Sequence, residues 1–300
     1  MKPFERIALV GSGILGTQIA MLAANAGYNV KIYDPKKDAF IETYNKVEND
    51  LRMKRVNPFI PWEDWEKCKQ SIHQAASLDE AVRDGDLVIE SVPENVELKN
   101  AVFRELGEKT GPQAILATNS SSIPVSRMEA SSGRPELCLN IHFYAPLQGA
   151  NMADVMGGTK TLPEVLQKGV RWVESLGCVP LTVKKEILGF CFNRVWRAIK
   201  REALYMWANG FVDFRDTDRA WMVFSRMKEG PFAMMDKVGL DVVYDIEMVY
   251  YNESKDPKDK PPDALLEMVK RGELGVKSGK GFYTYPDPEF LRPDFLQPKR

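Results

Sequence analysis

The chain is 300 residues long, 44% hydrophobic and 28% charged, with a formal net charge of -1. Such a length sustains a large core and favours two domains. The even charge balance offers no field to draw in nucleic acid or an anionic membrane, and no apolar run reaches the ~18 residues of a membrane helix.

Glu5 and Arg6 interrupt the N-terminus, which therefore lacks a signal-peptide core. The first strand is read at Ile7-Ala-Leu-Val10, a short apolar run suited to burial on both faces of a parallel sheet. It passes directly into Gly11-Ser-Gly13-Ile14-Leu15-Gly16 and then an alanine-rich helical pattern, Thr17 to Ala26, stopped at Gly27. In this strand–turn–helix, Gly11 permits the tight turn, Gly13 lets a pyrophosphate approach the backbone, and Gly16 lets helix and strand pack closely. Ile14 and Leu15 lie in the same turn, where backbone N–H groups and the helix dipole face phosphate. The next strand, Asn29 to Asp34, ends in an acid 18 residues after Gly16. A carboxylate there accepts ribose hydroxyls and repels a 2′-phosphate, so the residues favour NAD over NADP, although Lys36 and Lys37 follow at once.

Strands are expected again at Asp86–Ser91, Ala114–Thr118, Leu137–Ile141 and Val179–Val183, with helices at Val96–Lys109 and Leu162–Leu176. Asn45 to Lys69 breaks this rhythm and reads as a long helix followed by a protruding excursion carrying Trp62 and Trp65. The charged Lys184-Lys-Glu186 marks the expected boundary. This gives an α/β Rossmann-type domain over 1–185, a doubly wound and mostly parallel sheet, followed by an all-helical domain over 186–300. Helices in that second half are read at Phe190–Asn209, Asp216–Phe224, Met234–Val238, Val242–Tyr251 and Ala264–Lys270.

His142 closes the buried-looking strand Leu137-Cys-Leu-Asn-Ile-His142. Histidine is the side chain poised to act as a base near neutral pH. The other histidine, His73, lies in a polar stretch with no acid evident to orient it. A histidine beside apolar residues is commonly a hydrogen-bonded core residue, so His142 gains weight from the nucleotide turn, not from itself. Cys68, Cys138, Cys178 and Cys191 form neither a CxxC pair nor a metal-ligand spacing, so no metal site is expected. They read as reduced, buried thiols of a cytoplasmic protein.

Taken in order, several stretches resemble the L-3-hydroxyacyl-CoA dehydrogenase and 3-hydroxybutyryl-CoA dehydrogenase family nearly end to end. They are Gly11–Gly16 with Asp34, Val92-Pro-Glu94-Asn-Val-Glu-Leu-Lys99, Thr118-Asn-Ser-Ser121-Ser, Ile141-His142-Phe-Tyr-Ala-Pro146 and Gly189-Phe-Cys-Phe-Asn193. Two later ones are Gly230 to Asp241 and Gly275 to Tyr283. The resemblance implies that His142 takes a hydroxyl proton while hydride leaves the same carbon for the nicotinamide. It implies further that Ser121 and Asn193 hold the substrate oxygen, that Glu94 and Lys99 lie near the nicotinamide ribose, and that the helical domain pairs two copies. For Lys99 a solvated helix charge is the competing reading, and for Ser121 simple turn chemistry.

The family places a glutamate twelve positions after its histidine, and here that position holds Asp154. Aspartate keeps the charge but is one methylene shorter. Ala145 replaces the asparagine of the family's His-Phe-Phe-Asn-Pro motif, and Asp50 replaces a serine that contacts coenzyme A. Three functions follow from these residues: an NAD-dependent dehydrogenase of 3-hydroxyacyl-CoA; the same chemistry on a small hydroxy acid or alcohol, towards which Ala145, Gln148, Asn151 and Asp50 lean; or an NADH-binding structural protein, crystallin-like, without turnover.

Overall fold

The computed structural model describes residues 2–145, 147 and 151–297, so Pro146 and Gln148 lie outside the described residues. The chain divides into two compact units, Met1–Cys191 and Phe192–Arg300.

The first unit runs β1 (Arg6–Val10), α1 (Ile14–Asn25), β2 (Asn29–Tyr33), α2 (Ala39–Lys54), α3 (Trp62–Ser71), β3 (Ile72–Gln74), α4 (Leu78–Val82) and β4 (Leu87–Glu90). It continues with α5 (Val96–Lys109), β5 (Ile115–Thr118), β6 (Cys138–Phe143), β7 (Met152–Gly157), α6 (Pro163–Ser175) and β8 (Val179–Val183). The eight strands form one sheet in the order β3-β2-β1-β4-β5-β6-β7-β8, and β6–β7 is its one antiparallel pairing among the described residues. Strand order reverses between β1 and β4, which opens the crevice where this architecture takes a nucleotide.

Alternation along the strands feeds two cores. Leu9, Ile32, Ile89, Ala117 and Ile141 pack with Met21, Trp65 and Trp172. Ala8, Val10, Val88 and Leu116 pack with Phe103 and Leu106. Every residue of β4, β5 and β6 is buried, the condition that makes central parallel strands continuous apolar runs.

Two expectations change. The segment after α2 does not protrude as a whole. Trp65 is buried, with ring centroids 5.7 Å from Tyr44, 5.4 Å from Phe59 and 5.0 Å from Trp62. Helix α3 is charged on one side only, and its other side adds Trp65 and Cys68 to the core. The second change is β7, which was not anticipated, because Met152-Ala-Asp-Val-Met-Gly157 carries an acid in the middle of a buried strand.

The second unit contains α7 (Phe192–Ala208), α8 (Phe214–Ser225), α9 (Pro231–Val238), α10 (Leu240–Ser254) and α11 (Asp263–Lys270). Its core gathers Phe232, Met235, Leu240, Val243 and Leu265. Asp218 on α8 accepts the N–H groups of Phe232 and Ala233 at 2.8 and 2.9 Å, satisfying the start of α9 from outside the helix. Burial pushes its carboxyl up to about 6 despite those bonds. Asp236 accepts the N–H groups of Phe282 and Tyr283, both at 2.9 Å. The segments Gly230–Asp241 and Gly275–Tyr283 are thus tied together by buried carboxylate-to-backbone bonds.

Candidate active site

Antiparallel pairing sets His142 on β6 directly opposite Asp154 on β7. Residues in that relation point to the same face of a sheet, so the register alone brings imidazole and carboxylate together. His142 Nδ1 lies 3.3 Å from Asp154 Oδ2. Asp154 is fully buried and His142 is 4% exposed. An Nδ1–H directed at this carboxylate leaves Nε2 as the lone-pair nitrogen, the state a base requires.

Two further groups frame the pair. The Tyr144 hydroxyl donates to Asp154 Oδ2, and the Cys191 backbone N–H donates to Oδ1 at 3.2 Å. The Phe190 ring stacks on the imidazole, with centroids 5.1 Å apart and planes at 19°. Phe190 holds φ at 51°, a left-handed conformation costly for a bulky residue. Such strain persists where surrounding contacts over-determine it. Here the contact is the imidazole face.

At the nucleotide turn, Gly11 has φ 100°, and a Cβ there would meet Ser91 O at 2.5 Å. A Cβ on Gly16 would meet Gly11 O at 2.2 Å, whereas one on Gly13 would meet nothing within 4 Å. Two glycines close the turn and the middle one leaves its outer side open, which suits a pyrophosphate at Ile14 and Leu15, the start of α1. Asp34 Oδ2 accepts from the Ser12 N–H and hydroxyl at 2.9 and 3.1 Å, and Oδ1 from the Lys36 N–H at 3.0 Å. The carboxylate is thereby oriented, with acceptor capacity left on Oδ1 for a ribose hydroxyl. These residues fit a dinucleotide.

Lys99 is not a solvated helix charge. It is 1% exposed, with Nζ 2.7 Å from Glu90 Oε1 and 3.3 Å from Glu94 Oε2. Glu90 also accepts the Val92 N–H at 2.7 Å and the Thr118 hydroxyl at 2.7 Å, which joins the ends of β4 and β5. Glu94 Oε1 accepts the Ser122 N–H at 3.0 Å and the hydroxyls of Ser120 and Ser122. Burial opposes ionisation of Glu94, but the bonds from Ser120 and Ser122 and the charge of Lys99 outweigh it and lower its carboxyl. The serine loop is therefore clamped on both sides of Ser121, which is itself exposed. Asn193 belongs to the second unit, in the first turn of α7.

A cavity of about 1040 Å³ opens between α1, α2 and Ala145. Gln18, on its wall, is 3% exposed, and its Oε1 has no hydrogen-bond partner among the described residues. Asp50, also on the wall, faces Lys54 at 2.8 Å in a water-exposed pair one helical turn apart.

Family models match both halves: the NAD binding domain of 3-hydroxyacyl-CoA dehydrogenase over residues 6–187 and its C-terminal domain over residues 189–285. The chain belongs to the 3-hydroxyacyl-CoA dehydrogenase family. That family consists of NAD-dependent oxidoreductases, and the first unit carries its nucleotide-binding domain. A probable 3-hydroxybutyryl-CoA dehydrogenase of Deinococcus radiodurans is 31% identical, over 93% of this chain and 100% of the relative. The crystal structure of M. tuberculosis FadB2 superposes with a TM-score of 0.84 at 29% identity, covering 94% of this chain and 99% of that one. A diketoreductase structure, described as catalysing reactions of dicarbonyl compounds, superposes with a TM-score of 0.84 at 32% identity, over 95% and 100%.

Tyr144, Phe190 and Glu90 are not among the candidate residues that the sequence points to. Glu90 had a signal: an acid ending the apolar run Leu87-Val-Ile-Glu90 demands a partner, and Lys99 is the nearest cation after it. Tyr144 has a weaker one, lying two residues after His142 and so on the same side of an extended chain, and Phe190 has none beyond lying in a family-like stretch. Of the thiols expected to be buried, Cys68, Cys138 and Cys178 are, whereas Cys191 is exposed.

Proposed function

We propose that the chain interconverts an L-3-hydroxyacyl-CoA and a 3-oxoacyl-CoA, with His142 as general base. The observation that carries this is the buried His142–Asp154 pair at the C-terminal end of β6, in the unit that binds the nucleotide. When bound, NAD supplies the hydride acceptor. His142 Nε2 takes the hydroxyl proton, and Asp154 fixes the tautomer and stabilises the imidazolium. Ser121, on the clamped loop, and Asn193, on α7, hold the substrate oxygen. Glu94 and Lys99 serve the nicotinamide ribose side by setting that loop. The units divide the work as a nucleotide domain and a domain for substrate and self-pairing.

The homodimer is part of the proposal. Val195, Tyr205 and Phe211 are 59%, 53% and 69% exposed in the second unit, apolar surface that pairing would cover. Light scattering that gives a monomer at micromolar concentration removes it. A cytoplasmic location is proposed from cysteine usage, and cell fractionation checks it.

A second reading keeps the chemistry on a small hydroxy acid or alcohol, favoured by Gln18 Oε1 on the cavity wall, an acceptor without a partner among the described residues to which a substrate hydroxyl could donate. NADH oxidation with acetoacetyl-CoA, run beside free acetoacetate, tests both. Turnover of the thioester supports the first reading, and turnover of the free acid alone replaces it with the second. NADH binding without turnover of either returns the crystallin-like reading.

A further inference from the structure

We propose that Tyr144 is a positioning residue of the His142–Asp154 pair: its hydroxyl holds the short Asp154 side chain in place and draws off part of the carboxylate's charge. The inference rests on the assignment of His142 as base. Three donors converge on one buried carboxylate. His142 Nδ1 and the Tyr144 hydroxyl share Oδ2, and the Cys191 N–H takes Oδ1. The Tyr144 ring also packs edge-on against the imidazole, with centroids 4.5 Å apart and planes at 62°.

The register of β6 and β7 fixes the Cα positions, so an aspartate at 154 cannot gain reach by sliding along the strand. The imidazole contact is 3.3 Å, long for a charge-assisted bond. Tyrosine places its hydroxyl on the oxygen that faces the ring. A carboxylate bonded by a phenol carries less charge towards its other partner, so the imidazolium is stabilised less than by an unshared aspartate.

Few other groups can titrate against this pair. At the end of β5, Thr118 and the following Asn119 do not ionise, and Asn119 Oδ1 is engaged by the Phe143 N–H at 2.9 Å. On β8, Asp154 stands beside Leu181. From the segment after β8 come the Phe190 ring and Cys191, an exposed residue that contributes its backbone N–H. Tyr144 is thus the ionisable side chain in contact with both members of the pair among the described residues.

The test compares wild type, Tyr144→Phe, Asp154→Glu and the double variant in NAD-linked oxidation across pH, with NADH binding and thermal unfolding measured on each. Removing the phenol leaves Asp154 Oδ2 to the imidazole alone and frees the carboxylate to move, so both the rate and its dependence on pH change. Tyr144→Phe is therefore expected to lower kcat about tenfold and to move the acidic limb of the profile upward, with the KM for NAD unchanged. The tyrosine hydroxyl lies against Asp154 Oδ2, where the added methylene of a glutamate would carry the carboxylate, and a phenylalanine vacates that place. The double variant should accordingly recover about tenfold over the product of the single losses.

A Tyr144→Phe enzyme with wild-type kcat and an unmoved acidic limb overturns the proposal, as do single losses that simply multiply. A lower melting temperature with the limb in place identifies a merely structural tyrosine and also overturns it. His142→Gln serves as the control: if it keeps near wild-type turnover, the base assignment itself fails. If His142→Gln is inactive and Tyr144→Phe is neutral, only the role of Tyr144 falls.

Discussion

The chain holds two histidine–carboxylate pairs, and the closer one is the less constrained. His73 Nε2 lies 2.6 Å from Glu80 Oε1, so the acid that seemed missing from its sequence surroundings is supplied by α4. Both side chains are open to water, at 54% and 40% exposure, beside the edge strand β3. His142 and Asp154 stand 3.3 Å apart, at 5% and 0% exposure, with further bonds on the carboxylate and an aromatic ring on the imidazole. Separation does not sort the two. Water screens the first pair, whereas burial and the bonds from Tyr144 and Cys191 hold the second in one arrangement.

Substitutions that break the buried pair carry the largest expected effects. His142→Gln removes the base and should lower kcat by about a thousand- to ten-thousand-fold while NADH binding, followed by fluorescence, is kept. His73→Ala, assayed in parallel, should stay within about twofold of wild type. Asp154→Asn keeps the shape but loses the charge that stabilises the imidazolium, and a loss of about a hundredfold in kcat is expected. Equal losses at His73 and His142 would end the distinction between the pairs.

The same contrast decides what could be read from the sequence. Strands β1, β4, β5 and β6 announce themselves because burial on both faces makes them apolar runs. The nucleotide turn was legible because each glycine has its own geometric reason. Strand β7 was hidden by Asp154, the residue that gives it its purpose, and β3 by having only three residues. Glu80 is hidden as the partner of His73 because the six residues between them cross from strand to helix, and local spacing does not encode that turn. Phe190 reaches His142 through a tertiary contact alone, and Tyr144, although two residues on and so on the same side of the extended chain, shows its bond to Asp154 only once β7 is in place.

Burial should separate stability effects as it separates catalytic ones. Lys99 and Glu90 form a buried ion pair of 1% and 0% exposure at 2.7 Å. Lys99→Met leaves Glu90 charged, buried and short of its cation, and should cost about 3–5 kcal/mol in urea unfolding. It should also loosen Glu94 and with it the Ser120–Ser122 loop, raising KM for substrate. A variant as stable as wild type would show that Glu90 is satisfied by Thr118 and Val92 without the lysine.

The smallest effect belongs to the exposed pair, and its sign is set by Glu80. The bond from His73, followed by the Ala76 N–H, lowers the Glu80 carboxyl below its ordinary value. A carboxyl depressed in the folded state binds fewer protons there than in the unfolded chain near its titration. Its contribution to stability is therefore present above the ordinary carboxylate range and is lost as pH falls through the depressed value. The gap in unfolding midpoint between wild type and His73→Ala should be slight at pH 7 and should close between about pH 5 and pH 3, as Glu80 takes up its proton. A gap that persists at pH 3 would mean that some group other than Glu80 governs this edge of the sheet. A large gap at pH 7 would show that an exposed pair can fix structure as firmly as the buried one does.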